Sequence, residues 1–185
     1  MIQEVVEQVE HTVRDLIGSN IHTAMPGQIL SYDAELGQCE VQPVGSYYCS
    51  GFEMEYPVIS GVPVVMPCSA EGVGFCFPIR EGDSCLLVFS EQSMSAWMTE
   101  TSEAQSDERF ELQNCIAIPG LARVSAPAQM VANEENCAVV AAGETMLKVS
   151  PEGVEISGDT RIKGDVRITG QLWCTGNVHA PNIEG

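Results

Sequence analysis

Over the first 17 residues the apolar side chains Ile2, Val5, Val6, Val9, Val13 and Leu16 fall at three- and four-residue spacings, with Glu4, Glu7, Glu10, Arg14 and Asp15 between them. That period gathers the apolar groups into one stripe of an amphipathic helix, and Gly18 predicts its end. β-Branched valines lower the helix's own stability, so it needs a surface to dock on. From Pro26 the period shortens to two, and short apolar runs alternate with turn residues. Strands are predicted over 27–32, 38–43, 62–66, 74–77 and 84–89, the last entered through the tight turn Arg80-Glu-Gly-Asp83. So many short strands in so little chain predict a small Greek-key barrel. A polar segment, Glu91 to Glu108, and one more strand, Cys115-Ile-Ala-Ile118, complete it before Pro119-Gly120. Beyond it, Ala126-Pro-Ala128 and Asn133-Glu-Glu-Asn136 suggest a linker, and 146–149 with 154–156 a hairpin around Ser150-Pro-Glu-Gly153. The predicted organisation is an N-terminal helix (1–23), a β-barrel (24–122), a linker (123–143) and a hairpin with a terminal array (144–185).

That array is the most regular stretch of the chain. From Gly158 to Pro181 it reads as four six-residue units, opening at Gly158, Gly164, Gly170 and Gly176. Third positions are Thr160, Val166, Leu172 and Val178, and fifth positions are Ile162, Ile168, Cys174 and Ala180. Side chains alternate across an extended strand, so these two rows share a face while Arg161, Arg167, Trp173 and His179 occupy the other. A fixed-period array of short strands with glycine corners marks a β-helix or solenoid, in which no unit buries its own apolar face. Eight modest side chains return less than the ordering of the whole array costs. Intertwining with identical copies is the simplest remedy, with Val166, Leu172, Val178, Ile162, Ile168, Cys174 and Ala180 as the shared core. Its fifth-position row shrinks from isoleucine to alanine, so the prism is expected to taper toward the C-terminus.

Charge then narrows the partners. The net charge is −18, and residues 1–143 carry 20 of the 26 acidic side chains but only Arg14, Arg80, Arg109 and Arg123 as bases. Nucleic-acid binding draws on clustered Lys and Arg, so no nucleic-acid partner is expected. An anionic membrane surface is repelled unless contact is forced mechanically. The eight cysteines form no Cys-x-x-Cys pair, and Met1 leads into a polar helix rather than a secretory signal. They are expected to be reduced, mostly buried small hydrophobes made in a cytoplasm.

Catalytic chemistry is not predicted. There is no Gly-x-Ser-x-Gly elbow, phosphate-binding loop or His-Glu-x-x-His pair, and three histidines leave little scope for imidazole catalysis. No cofactor is expected, with one exception. Three copies of His179 meeting on a threefold axis would form a metal site at the tip, although His179 holds the outward fourth place of its unit.

Several of these segments together resemble a known family. Gly27-Gln-Ile-Leu-Ser-Tyr32, Gly61-Val-Pro-Val-Val-Met-Pro67, Phe77-Pro-Ile-Arg-Glu-Gly-Asp83, Leu87-Val-Phe-Ser90, Trp97, Arg109-Phe110 and Ile116-Ala-Ile-Pro-Gly120 resemble the N-terminal domain of phage baseplate central-spike proteins. These are the baseplate assembly protein V-like, cell-puncturing spikes of contractile injection systems. The resemblance implies a mainly β homotrimer: three OB-type barrels as a collar, and three C-terminal segments wound into an intertwined triple-stranded β-helix. It implies a structural, non-enzymatic role at the tail tip of a phage or phage-tail-like bacteriocin, seated on a baseplate hub protein and driven through the target cell envelope. A small tip-capping protein is a further implied partner. Some members hold iron at the apex with a His-x-His pair; this chain has Val178-His179-Ala180.

Three other classes use parts of the same pattern. A trimeric receptor-binding or adhesin fibre would share the β-helix but expose recognition loops at its tip. An OB-fold module gripping single-stranded nucleic acid needs a basic groove with stacking aromatics, and an envelope-degrading enzyme needs a catalytic constellation.

Overall fold

The computed structural model describes residues 3, 5–10, 12–13, 21–49, 52–69, 71–99 and 109–179. The chain is mainly β and divides into two compact units, Met1–Arg123 and Val124–Gly185.

In the first unit β1 (Ala24–Asp33) pairs antiparallel with β2 (Gln38–Pro43) on one side and β6 (Ser84–Phe89) on the other. β5 (Ile59–Pro63) and β7 (Cys115–Pro119) extend the sheet to the order β5-β2-β1-β6-β7. Alternation decides which residues face inward: Cys39, Val41 and Pro43 from β2, and Cys85, Leu87 and Phe89 from β6, are buried while their neighbours are not. With Ile29, Ile59, Val62, Cys115 and Ala117 they form the core. A register shift between Ile29 and Ser31 bends β1, and the sheet curls into a half-barrel. Its two edges approach just past β5, where Val64 forms a parallel bridge to Ala117 and the Val65 N–H donates to the Ala117 carbonyl at 2.9 Å.

Two side-chain caps set the turns. Asp33 Oδ1 accepts from the Glu35 and Leu36 amides at 2.9 and 3.0 Å, reversing the chain between β1 and β2. Asp83 Oδ2 accepts from the Arg80 amide at 2.8 Å in the turn before β6.

The structure departs from the sequence reading in five places. The run 74–77 is no strand; its contact is an isolated bridge between Gly74 and Cys68. A hairpin not anticipated from the sequence, β3 (Ser46–Cys49) with β4 (Phe52–Glu55), lies between β2 and β5, and a short helix, α1 (Ser95–Thr99), lies within the segment read as polar. At the N-terminus Gln3, Val5–Glu10, Thr12 and Val13 are helical, but Val5, Val6, Val9 and Val13 are exposed rather than docked. Ile2, Leu16 and Gly18 of that predicted helix lie outside the described residues.

The fifth departure is in the second unit. Most of the expected linker 123–143 is ordered structure: α2 (Pro127–Glu134) and β8 (Ala138–Ala142). Proline at the first helical position costs no hydrogen bond, and the Gln129 side chain accepts from the Ala126 amide at 3.0 Å, so the helix is capped from within. β8 pairs with β9 (Thr145–Ser150), and β9 with β10 (Gly153–Ser157), in a three-stranded meander of two-residue loops. Lys148 on β9 reaches both oxygens of Glu135 at the end of α2, at 2.7 and 2.8 Å. That hydrogen bond raises the Lys148 pKa.

Candidate assembly surface

β10 leads directly into the glycine units. No described residue from 158 to 179 lies in a strand, a helix or a hydrogen-bonded turn, yet the chain bends at Gly158, Gly164, Gly170 and Gly176. At the first three corners φ is +122°, +131° and +147°, a region that L side chains rarely adopt. Between them the backbone forms no hydrogen bond to other described residues of the chain, and unpaired N–H and C=O groups are a template for pairing with another chain.

Side chains repeat the same message. Ile162, Val166, Ile168, Leu172 and Val178 are each at least half exposed, and Cys174 is exposed as well. Soluble monomers rarely leave such a contiguous apolar row uncovered. The intervening positions carry Asp159, Arg161, Lys163, Asp165 and Arg167, a charged edge suited to water. Trp173, at 86% exposed, is the one large apolar group of that second row. Among the described residues, one chain thus presents an apolar row, a charged row and backbone groups that find no partner.

Ala180, the last predicted core position, and Pro181 lie outside the described residues. His179 is exposed, and no group of three or more His, Cys, Asp and Glu side chains gathers to hold a metal ion among the described residues. Of the cysteines expected to be buried, Cys39, Cys85 and Cys115 are, whereas Cys68, Cys76 and Cys174 are exposed. No described helix is long and apolar enough to cross a membrane.

In the first unit, residues 25–120 match the family model described as the phage protein Gp138 N-terminal domain. The chain belongs to this family. The Gp138 domain opens within β1 and closes just after β7, so it takes in the whole curled sheet and its core. The Gp138 match supports a phage structural protein. No curated protein matches the chain. The glycine units fall outside the Gp138 domain, and their reading rests on their own geometry.

Proposed function

We propose that the chain is the subunit of a trimeric central spike at the baseplate of a contractile phage tail or a phage-tail-like bacteriocin. The observation that carries this reading is the run of corners six residues apart, each followed by an exposed apolar row and unpaired backbone. Three such chains intertwined into a triple-stranded β-helix would pair every backbone edge with a neighbour and bury the row along the common axis. The family match to a phage protein domain supports the setting. The strand order of the first unit, with β5 and β7 approaching in parallel, supports an OB-type Greek-key barrel as each subunit's collar.

The function is then mechanical. Force from sheath contraction passes from the hub through the collar to a narrow β-helix, which pierces the target envelope without covalent chemistry. Stiffness comes from interchain backbone pairing with no free edge. The subunit is made in the bacterial cytoplasm and assembled at the virion's tail tip, where a small capping protein, or a metal ion held by three copies of His179, would finish the point.

A trimeric receptor-binding fibre is the second reading, favoured by the exposed Trp173 on the outer row. Light scattering on the full chain tests the common element of both. The expected mass is three times 19.9 kDa, retained after brief warming in detergent. A monomer would remove the physical basis of the spike. Saturable binding to intact target cells that is lost in Trp173→Ala would favour the fibre instead.

A further inference from the structure

In the meander of the second unit the antiparallel register fixes which side chains share a face. Ala138, Val149 and Val154 make one rank across β8, β9 and β10; Val140, Leu147 and Ile156 make the next, with Ala142 and Thr145 beyond them. Alternation sends Lys148 and Glu155, the charged side chains of the three strands, to the opposite face, where Lys148 meets Glu135. The first face therefore carries no charge. It is also bare: Val140, Val149, Val154 and Ile156 are exposed by 44, 47, 66 and 54%, and no described residue of the second unit is buried. Three strands gain independent stability by packing an apolar face against something, and within one chain nothing described covers this one.

We propose that this face is one inner wall of a prism completed by the equivalent meanders of two further copies of the chain. The proposal rests on the trimeric reading and extends its core upstream, from the glycine units to the strands that precede them.

Charge selects the occupant. The chain carries −18, so identical copies approach most easily where neither brings a carboxylate, and this face meets that condition. A basic partner would instead be drawn to the acidic surface elsewhere. Size shows that the face does not act alone. Three strands about 4.8 Å apart, each about five residues long at about 3.3 Å per residue, cover roughly 240 Å², against roughly 800 Å² per partner in a standard stable interface. The remainder has to come from surface continuous with it.

Gly158 supplies that continuity. A Cβ there would stand 3.0 Å from the Thr145 hydroxyl oxygen, so the chain turns its first corner against the third rank of this face, and the apolar row of the glycine units follows directly. The dimensions suit three copies. A sheet about 14 Å wide, set as one side of an equilateral triangle, stands about 4 Å from the threefold axis, close to half the usual separation of packed sheet faces, about 10 Å. Valine, leucine and isoleucine side chains fill that space and leave no channel.

The test places the same new charge at adjacent positions on opposite faces of β10. Full-length wild type, Ile156→Asp and Ser157→Asp are sized by light scattering after brief warming in detergent. Wild type and Ser157→Asp should keep the trimer mass, and Ile156→Asp should lose it. A wild-type trimer whose Ile156→Asp variant is equally resistant would overturn this proposal and leave the spike reading standing, whereas a wild-type monomer would remove both. Should a variant misfold by circular dichroism, hydroxyl-radical footprinting of the unmutated trimer decides. Val149 and Val154 should be oxidised several-fold less than Val73 and Val124, which are 75 and 80% exposed in one chain. Equal oxidation of the four valines would mean that the face stays open in the trimer, free for a different partner, and would overturn the proposal.

Discussion

Cys76 and Cys85 sit in similar local patterns, Phe75-Cys-Phe77 and Ser84-Cys-Leu86, and meet opposite fates. Cys85 lies on β6, where β1 and β7 pair on either side and turn it into the core; Cys76 lies on a loop with no partner strand, and is exposed. Periodicity reports which way a side chain would point from a strand, but not whether the run finds a neighbour. Burial has a chemical consequence for the inward set. It pushes the Cys39, Cys85 and Cys115 thiols up to about 12, 11 and 12, from an ordinary 9.0. In the folded protein these three should therefore resist alkylation at pH 8 while Cys68, Cys76 and Cys174 react, as a timed iodoacetamide series would read. Rapid reaction of all three core thiols without denaturant would contradict the closed core. The sign for stability follows from the same shifts. Between pH 9 and about 11 the unfolded thiols release protons that the folded ones keep, so the unfolded state binds fewer and stability falls as pH rises. Other groups titrate there too, so the check is a comparison. Cys39→Val, close in volume and without a proton to lose, should flatten the fall in melting temperature between pH 8 and 10.

Elements were legible where alternation and turn chemistry agreed. β2 and β6 occupy the predicted residues 38–43 and 84–89, because each alternates buried and half-exposed positions and follows a turn closed by an aspartate. The α2 segment misled because Ala-Pro-Ala and a run of Asn and Glu have loop composition. The decisive signals were smaller: proline where a helix begins and, two residues on, a glutamine that reaches back to the Ala126 amide. Losing such a cap typically costs about 1 kcal/mol. The glycine units invert the problem. Their corners were plain in the sequence, but in one chain both rows face solvent, so the structure of a single chain does not discriminate inner from outer. Mutation can. In isolation Ile168, 51% exposed, and Trp173, 86% exposed, should tolerate aspartate equally. In the proposed trimer Ile168→Asp buries three charges along one axis, which is strongly unfavourable, whereas Trp173→Asp adds charge to a wet face. Loss of detergent-resistant trimer in the first variant and its retention in the second is the expected result by gel filtration; equal behaviour would refute the inward assignment.

At the scale of the whole molecule, every residue of the buried core precedes position 124, and the exposed apolar row follows position 158. Folding of the sheet and association of the chains therefore draw on different residues and should be separable. The charge distribution sharpens the point. Residues 1–143 hold 20 of the 26 acids, so in the proposed trimer the bodies of neighbouring subunits would repel one another, and association would have to be driven by the C-terminal stretch, where Asp159 and Asp165 alternate with Arg161, Lys163 and Arg167. Deleting residues 158–185 should leave a folded monomer with cooperative urea unfolding and the circular dichroism of a β protein. The full chain should scatter light as three copies and keep that mass in detergent. Salt provides an internal control, since repulsion between exposed acidic surfaces is screened beyond roughly 10 Å at 0.1 M. Raising ionic strength should speed assembly of the full chain and leave the truncated protein monomeric. A truncated chain that still forms a detergent-resistant trimer would place the association surface in the acidic body, and the glycine units would lose the role argued for them.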